Sequence, residues 1–165
     1  MNVLDWPLIL RTRRNHGLEH ATIHVLASRL RGVSIAGRST PNGFYIIGNV
    51  AAEDVASAAD EALRRIRNGE PQLTIHPSCG TNYMTSGTFA GLAAVASIGF
   101  GRRSRWEQLP GAIIAATLAL FVAAPVGPLL QARVTTSGDM GDLEIISVRK
   151  LPGRVTAHYV ETSSS

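Results

Sequence analysis

PGAIIAATLALFVAAPVGPLL, residues 110–130, contains no charged side chain. A helix needs roughly 20 apolar residues to cross the hydrocarbon core of a bilayer, with about 17 as the lower limit, and this segment meets that requirement. MTSGTFAGLAAVASIGFG, residues 84–101, is also uncharged, but it is shorter and rich in small residues. Together the two segments predict a two-helix transmembrane hairpin over 84–130. Burial of the hairpin inside a soluble protein is the alternative, and it is disfavoured because a chain of 165 residues has little protein with which to cover it.

Three arginines and a tryptophan occupy the link between the apolar segments: Arg102, Arg103, Arg105 and Trp106. They predict a short charged cap with an interfacial aromatic residue. Within the first segment, Gly87 and Gly91 form a GxxxG pattern, which lets two helices approach closely. The predicted partners are therefore the lipid bilayer and, through the Gly87/Gly91 face, other membrane-protein subunits.

The charges lie almost entirely in residues 1–83 and 131–165, and the net charge of +4 comes from arginine, since Lys150 is the only lysine. No nucleic-acid motif or basic helix accompanies this charge, so we expect no nucleic-acid partner and assign the charge to acidic lipid headgroups. Cys79 is the only cysteine, which rules out an intramolecular disulfide and favours a reducing compartment or a functional thiol.

The N-terminal residues do not have the pattern of a signal peptide, because Asp5 and Pro7 interrupt a short apolar run that ends at Arg11. Residues 1–10 are expected either to lie along the membrane interface, with Trp6 as an anchor, or to form a flexible tail. The arginine-rich link alone favours an orientation with both termini outside. Export of a folded domain without a signal peptide is difficult, so we expect an inner (plasma) membrane protein with its soluble domain in the cytoplasm.

Hydrophobic periodicity and turn residues predict an α+β fold with three parts. A small α-β-β-α-β soluble domain covers 1–83, the transmembrane hairpin covers 84–130, and a C-terminal β segment covering 131–165 packs on the soluble domain. The C-terminal strands are expected to complete the sheet of that domain, with a small sheet of their own as the alternative. The predicted helices are 15–30 and 53–68, and the predicted strands are 33–36, 44–50, 72–76, 133–136, 143–148 and 154–161. The last four residues are expected to be disordered.

His16-Gly17-Leu18-Glu19-His20 fits the H-x-x-E-H pattern of inverted zinc proteases. Positions i and i+4 project to the same side of a helix, so His16 and His20 are placed to chelate one cation. Glu19 would then accept a proton from a metal-bound water. His24 extends the row by one turn as a further ligand, a supporting partner or a proton carrier. The alternative is a solvated helix face that carries polar residues at helical spacing.

His76 and Cys79 form a second candidate pair, because a two-residue spacer lets both side chains turn towards one ion. Imidazole and thiolate together suit zinc, which is the predicted cofactor. A strand-ending turn with a buried thiol would also explain this pair. Because four of the five histidines and the only cysteine fall in these two motifs, we favour a shared metal site with His16, His20, His76 and Cys79 as ligands.

The pairing of His-Gly-Leu-Glu-His at 16–20 with His-Pro-Ser-Cys-Gly-Thr-Asn at 76–82 resembles an uncharacterised family of bacterial membrane proteins from lineages such as cyanobacteria and Chloroflexi. This resemblance covers most of the chain, including the hairpin and Thr-Thr-Ser-Gly-Asp at 135–139. The two motifs alone are distantly similar to the YqhQ-like family of predicted metal-dependent enzymes. That similarity implicates His16, Glu19, His20, His76 and Cys79, and it leaves the reaction open. The chain departs from the YqhQ-like pattern at Ala21, where lysine is usual, and at Asn82, where serine is usual.

These patterns support three functions. The preferred one is a membrane-anchored zinc protein, either with a closed His3Cys site or with an open site and Glu19 as the catalytic base of a hydrolase. The second is an accessory subunit of a larger photosynthetic or respiratory membrane complex, with a structural metal. The third is a metal-free enzyme in which Cys79 is the nucleophile.

Two further sets of polar residues are weaker candidates. The carboxylates of Asp139, Asp142 and Glu144 lie in a glycine-rich stretch, but they lack the spacing of a calcium loop, and an ordinary polar turn is favoured. His158 alternates within a predicted strand and is expected to be structural.

Overall fold

The computed structural model describes residues 2–98 and 104–164, apart from the side chain of Arg105. The helices are α1 (Pro7–Arg29), α2 (Ala52–Arg67), α3 (Gly80–Ile98) and α4 (Arg105–Leu130), and the strands are β1 (Ala36–Thr40), β2 (Gly43–Ile47), β3 (Glu144–Leu151) and β4 (Ala157–Ser163). Short 3₁₀ turns lie at Val3–Asp5 and Pro71–Thr74, and a π-helical turn, Gln131–Thr135, continues α4. The mixed α and β class predicted from the sequence is therefore confirmed.

The chain forms two compact units, 1–76 with 132–165, and 77–131. In the first unit, the four strands form an antiparallel sheet in the order β1-β2-β4-β3, so the C-terminal strands join the N-terminal hairpin in one sheet. Helices α1 and α2 cover one face of this sheet. The core between them includes Leu18 and Leu26 of α1, Val55 of α2 and Phe44 of β2, all with no exposed surface.

The second unit is built from α3 and α4, which pack against each other. At the start of α3, the Asn82 amide donates to the Pro77 carbonyl at 2.8 Å, and its side-chain oxygen accepts from the Gln131 amide at 2.7 Å. The same Asn82 side chain lies so close to Gly127 that a Cβ there would overlap it. The close approach of the two helices therefore occurs at Gly127. Among the described residues, no atom lies within 4 Å of a Cβ added at Gly87 or Gly91.

One helical stretch in the described part of the chain, Trp106–Thr135, is long and apolar enough to cross a membrane, and only 11% of its most apolar window is buried. Both predicted apolar helices form, but α3 does not meet the same criterion, so a transmembrane role for α3 remains a prediction. The predicted arginine cap falls largely outside the described residues, which omit Arg102 and Arg103. Trp106 is 79% exposed.

Several predicted strand boundaries are wrong. Residues 72–76 do not form a strand, because Pro71 opens a 3₁₀ turn in which the Thr74 hydroxyl donates to the Pro71 carbonyl at 2.7 Å. In place of the predicted strand 133–136, the π-helical turn Gln131–Thr135 extends the preceding helix. The first strand is Ala36–Thr40 instead of 33–36, because Thr40 pairs with Gly43 around a two-residue turn.

The C-terminal end is also more ordered than predicted. Thr162 lies in β4 with only 6% of its surface exposed, and its hydroxyl donates to Asn15 Oδ1 at 2.6 Å. This buried hydrogen bond holds the end of the chain in the sheet up to Ser163.

Candidate metal centre

Helix α1 places His16, His20 and His24 on one side, as the i, i+4 spacing requires. The ring centroids of His16 and His20 are 4.4 Å apart. One ring nitrogen of His16 lies within 4.8 Å of a ring nitrogen of His20. Two imidazoles at this separation need only small side-chain rotations to share a zinc ion at about 2.0–2.1 Å from each nitrogen.

His76 joins these three rings from the segment that follows the 3₁₀ turn Pro71–Thr74. Its ring centroid lies 5.6 Å from that of His20 and 4.8 Å from that of His24. The four rings therefore form a continuous row in the order His16, His20, His76, His24. This cluster is called the histidine row below.

Backbone carbonyls hold the first two rings of the row. Nδ1 of His16 is 2.9 Å from the carbonyl oxygen of Thr135, and Nδ1 of His20 is 2.7 Å from that of Thr74. A carbonyl oxygen only accepts, so each Nδ1 carries the hydrogen and, in the neutral ring, Nε2 carries the lone pair. Zinc-binding histidines use this arrangement, in which a carbonyl fixes the tautomer and orientation of the ring.

His24 has the opposite arrangement. Its Nε2 lies 2.9 Å from the carbonyl oxygen of Ile75, so Nε2–H is the donor and Nδ1 carries the lone pair in the neutral ring. The ring thereby contacts His76 and is tied to the residue that precedes His76. Within the proposed site we assign His24 a supporting role, since its N–H fixes the backbone immediately before His76.

Gly17 explains how the carbonyls of Thr74 and Thr135 come so close to α1. A Cβ at Gly17 would lie 2.6 Å from the Ser137 carbonyl oxygen and 3.0 Å from Cγ2 of Thr74. Contacts this short would force the backbone apart, so only glycine fits between His16 and His20 at the observed distance. The glycine in His-Gly-Leu-Glu-His therefore serves the orientation of both neighbouring histidines.

The electrostatic environment keeps His76 neutral. Burial, followed by the neighbouring His24 and His20 rings, lowers the pKa of His76 to about 4. At pH 7 the ring is therefore uncharged and retains a lone pair, which is the form that binds a metal.

Glu19 lies on a different side of α1 from the histidines. It is only 4% exposed, and its side chain packs across β1 so closely that a Cβ at Gly37 would overlap its carboxylate. The described contacts thus direct this carboxylate towards the sheet. The predicted role of Glu19 as a base beside a metal is not tested by them.

Cys79 belongs to the second unit, where it immediately precedes α3 and is buried. Its Sγ accepts a hydrogen bond from the Thr81 N–H at 3.4 Å. A sulfur at a helix N-terminus faces backbone N–H donors, which favour the thiolate that metals require. The local geometry is therefore compatible with a ligand role.

Arg14 and Asn15, immediately before the motif, position α1, and the sequence pattern did not single them out. The Arg14 guanidinium donates to the Asp142 carboxylate at 3.0 Å and to the Asp139 carbonyl at 3.2 Å. Asn15 is 1% exposed, and its amide donates to the carbonyls of Thr40 and Pro41 at 3.0 and 3.1 Å. Their partners lie at least 25 residues away along the chain, so no local sequence pattern marks these contacts.

The contacts of Arg14 also account for the conformation of the acidic loop that contains Asp139 and Asp142. Asp142 pairs with that guanidinium, and Asp139 Oδ1 accepts from the Gly141 N–H at 2.9 Å. The loop therefore behaves as an arginine-bound polar turn, as favoured from the sequence. His158 is fully buried in β4, and neither ring nitrogen has a hydrogen-bond partner among the described residues.

Comparison with known proteins identifies relatives but no activity. The family model described as Domain of unknown function (DUF6391) matches residues 11–148. An uncharacterized protein of Picosynechococcus sp. is 37% identical over 143 residues, which cover 78% of this chain and 67% of that protein. No solved structure matches the chain.

Proposed function

The chain belongs to the DUF6391 family, and we propose that it is a membrane-anchored zinc-binding protein whose metal has a structural role. The observation that carries this proposal is the histidine row, in which carbonyls of Thr135 and Thr74 orient His16 and His20 through Nδ1. On a solvent-exposed helix face, histidine rings form hydrogen bonds with water, so backbone carbonyl partners are not required. His20 is only 3% exposed, which also argues against a solvated face.

In this proposal His16, His20 and His76 supply three nitrogen ligands. Each would coordinate through the nitrogen that carries the lone pair, which is Nε2 in His16 and His20. Neutral His76 binds without a proton having to leave it at pH 7, because its pKa is already low. Zinc is preferred over harder cations such as Mg²⁺ and Ca²⁺ because the ligands are imidazoles and a thiolate.

Cys79 would be the fourth ligand. This part of the proposal rests on the sequence, since Cys79 is the third residue after His76 and three residues extend at most about 11 Å. A set of three histidines and one cysteine closes a tetrahedral zinc ion, and a closed set has no position for a reactive water. We therefore favour a structural role over hydrolysis.

A catalytic role would require the Glu19 carboxylate, which packs close to β1 at Gly37, also to reach a metal-bound water. The hydrolase with Glu19 as base, related by motif to the YqhQ-like enzymes, is the alternative. Zinc-dependent hydrolysis separates the two. Glu19→Gln retains zinc in both, but only the hydrolase predicts a zinc-dependent hydrolytic activity of the parent that the variant loses.

Zinc content of single variants tests the ligand assignment. We expect about one zinc per chain in the detergent-purified parent, loss of most zinc in His20→Ala, and retained zinc in His24→Ala, the matched control from the same helix face. Loss of ligand binding also lowers the thermal midpoint of His20→Ala, because a bound metal stabilises the native state. Equal zinc content in parent and His20→Ala would refute the proposal. A zinc-free parent that is inactivated by alkylation would favour a Cys79 nucleophile instead.

The anchoring part of the proposal rests on Trp106–Thr135, and the soluble unit would lie in the cytoplasm beside an inner membrane. Association with other membrane subunits is proposed through the open Gly87/Gly91 face of α3. Gly87→Leu should then release a partner that co-migrates with the parent in mild detergent, and Leu92→Ile should not. A parent that migrates without any partner would contradict the accessory-subunit role.

A further inference from the structure

The N-terminal residues are ordered and expose large apolar side chains. Val3, Trp6 and Leu8 are 52%, 50% and 65% exposed. The segment is nevertheless structured, since Asn2 caps the 3₁₀ turn Val3–Asp5 by accepting from the Leu4 N–H at 3.1 Å. Helix α1 then begins at Pro7 without a gap. A flexible tail does not fit these contacts.

Arg13 ties this segment to residues 133–136. Its guanidinium donates to the carbonyl of Leu4 at 3.3 Å, to that of Arg133 at 3.1 Å and to that of Thr136 at 3.0 Å. All of these residues belong to the first unit. The backbone of the N-terminal segment at Leu4 and residues 133–136 are thus held by the same guanidinium.

The length of the apolar helix places residues 133–136 relative to a bilayer. The uncharged segment 110–130 has 21 residues, which at about 1.5 Å per residue span about 32 Å. This length is close to the roughly 30 Å thickness of the hydrocarbon core. The residues that follow, including Arg133, therefore fall in the headgroup layer, where arginine and tryptophan are both favoured.

We propose that Val3, Trp6 and Leu8 form a membrane-surface anchor that inserts among the lipid headgroups at the level of Arg133. This inference rests on the proposed membrane anchoring. Arg13 holds the anchor at the correct depth by linking the Leu4 carbonyl to the carbonyls of Arg133 and Thr136. The anchor gives the metal-binding unit a second attachment to the bilayer, through α1, which carries three histidines of the histidine row.

The two tryptophans of the chain allow a direct test. In Trp106→Phe, Trp6 is the only tryptophan, and in Trp6→Phe only Trp106 remains. Each variant is reconstituted into phosphatidylcholine vesicles whose acyl chains carry bromine either near the headgroup or near the bilayer centre. Bromine quenches tryptophan emission only at short range. We expect Trp6 to emit at shorter wavelength than in urea and to be quenched more by bromine near the headgroup.

The same pair of variants distinguishes failure of the surface anchor at Trp6 from failure of the proposed membrane-spanning helix. Quenching of Trp106 with unquenched Trp6 would overturn the surface anchor and leave the spanning helix intact. Absence of quenching in both variants, with protein that does not float with the vesicles, would overturn both. Stronger quenching of Trp6 by bromine at the bilayer centre would also overturn the proposal, because the anchor is placed in the headgroup layer.

Discussion

Gly17→Ala should weaken zinc binding although it removes no ligand. The added methyl group would meet the Ser137 carbonyl at 2.6 Å and Thr74 Cγ2 at 3.0 Å. The Ser137 backbone cannot move freely, because its N–H donates to the Arg13 carbonyl at 3.0 Å. Helix α1 must therefore shift away from the segments whose carbonyls orient His16 and His20.

Two opposing energies determine how far Gly17→Ala changes the stability of the protein. Overpacking costs about 1–3 kcal/mol, and alanine in place of glycine inside a helix returns about 1 kcal/mol. The metal-free protein should thus lose at most about 2 kcal/mol of stability. Loss of the groups that orient metal-binding histidines typically lowers affinity about 10–100-fold, and we expect Gly17→Ala to fall in this range.

Competition with a chromophoric zinc chelator measures the affinity, and circular dichroism on the chelator-treated protein measures the stability. Gly87→Ala is the matched control, since no described atom lies within 4 Å of its added Cβ, and it should bind zinc like the parent. If Gly17→Ala also binds zinc as tightly as the parent, carbonyl orientation of His16 and His20 does not contribute to metal binding.

Three further changes test the fold, the buried histidine and the apolar helix. Asn15→Ala should destabilise the protein by about 2 kcal/mol or more in chemical denaturation, because it leaves buried partners, including the Thr162 hydroxyl, without their hydrogen bonds. A loss of stability below about 0.5 kcal/mol, the size expected of an ordinary surface substitution, would contradict this prediction. Burial lowers the pKa of His158 below its usual value of 6.5, so the unfolded chain binds this proton more readily than the folded protein, and the free energy of unfolding falls as the pH drops below about 6.5. His158→Leu should therefore become more stable relative to the parent between pH 7 and pH 5. Parallel curves of unfolding free energy against pH for the two proteins would disprove this linkage. Leu118 is 61% exposed on α4, and Leu118→Arg should make the free energy of membrane insertion about 2.5–3.5 kcal/mol less favourable. The control Leu118→Ile should insert like the parent. Equal insertion of both variants would argue against a spanning helix.

Hydrophobic periodicity and histidine spacing correctly predicted features that lie within a single helix. Helix α2 runs over Ala52–Arg67, as its apolar periodicity and the following Gly69 indicate. The i, i+4 spacing likewise placed His16, His20 and His24 on one side of α1. These outcomes depend on side-chain directions within one helix, which the sequence specifies.

Elements held by distant contacts were beyond sequence reasoning. The segment before His76 alternates like a strand, but its carbonyls at Thr74 and Ile75 are bound by histidines of α1 instead of a neighbouring strand. The last strand continues to Ser163 because Thr162 meets Asn15, which is 147 residues away. The steric reason for Gly17 likewise appears only when the Ser137 and Thr74 segments are in place.

The most direct test of the proposed function is X-ray absorption at the zinc edge of the detergent-purified parent protein. A closed site predicts stoichiometric zinc with three nitrogen neighbours at about 2.0–2.1 Å and one sulfur neighbour at about 2.3 Å. Cys79→Ser should remove the sulfur contribution, which assigns that ligand to the only cysteine. A spectrum with no sulfur in the parent, or a parent without bound zinc, would contradict the closed site formed by His16, His20, His76 and Cys79.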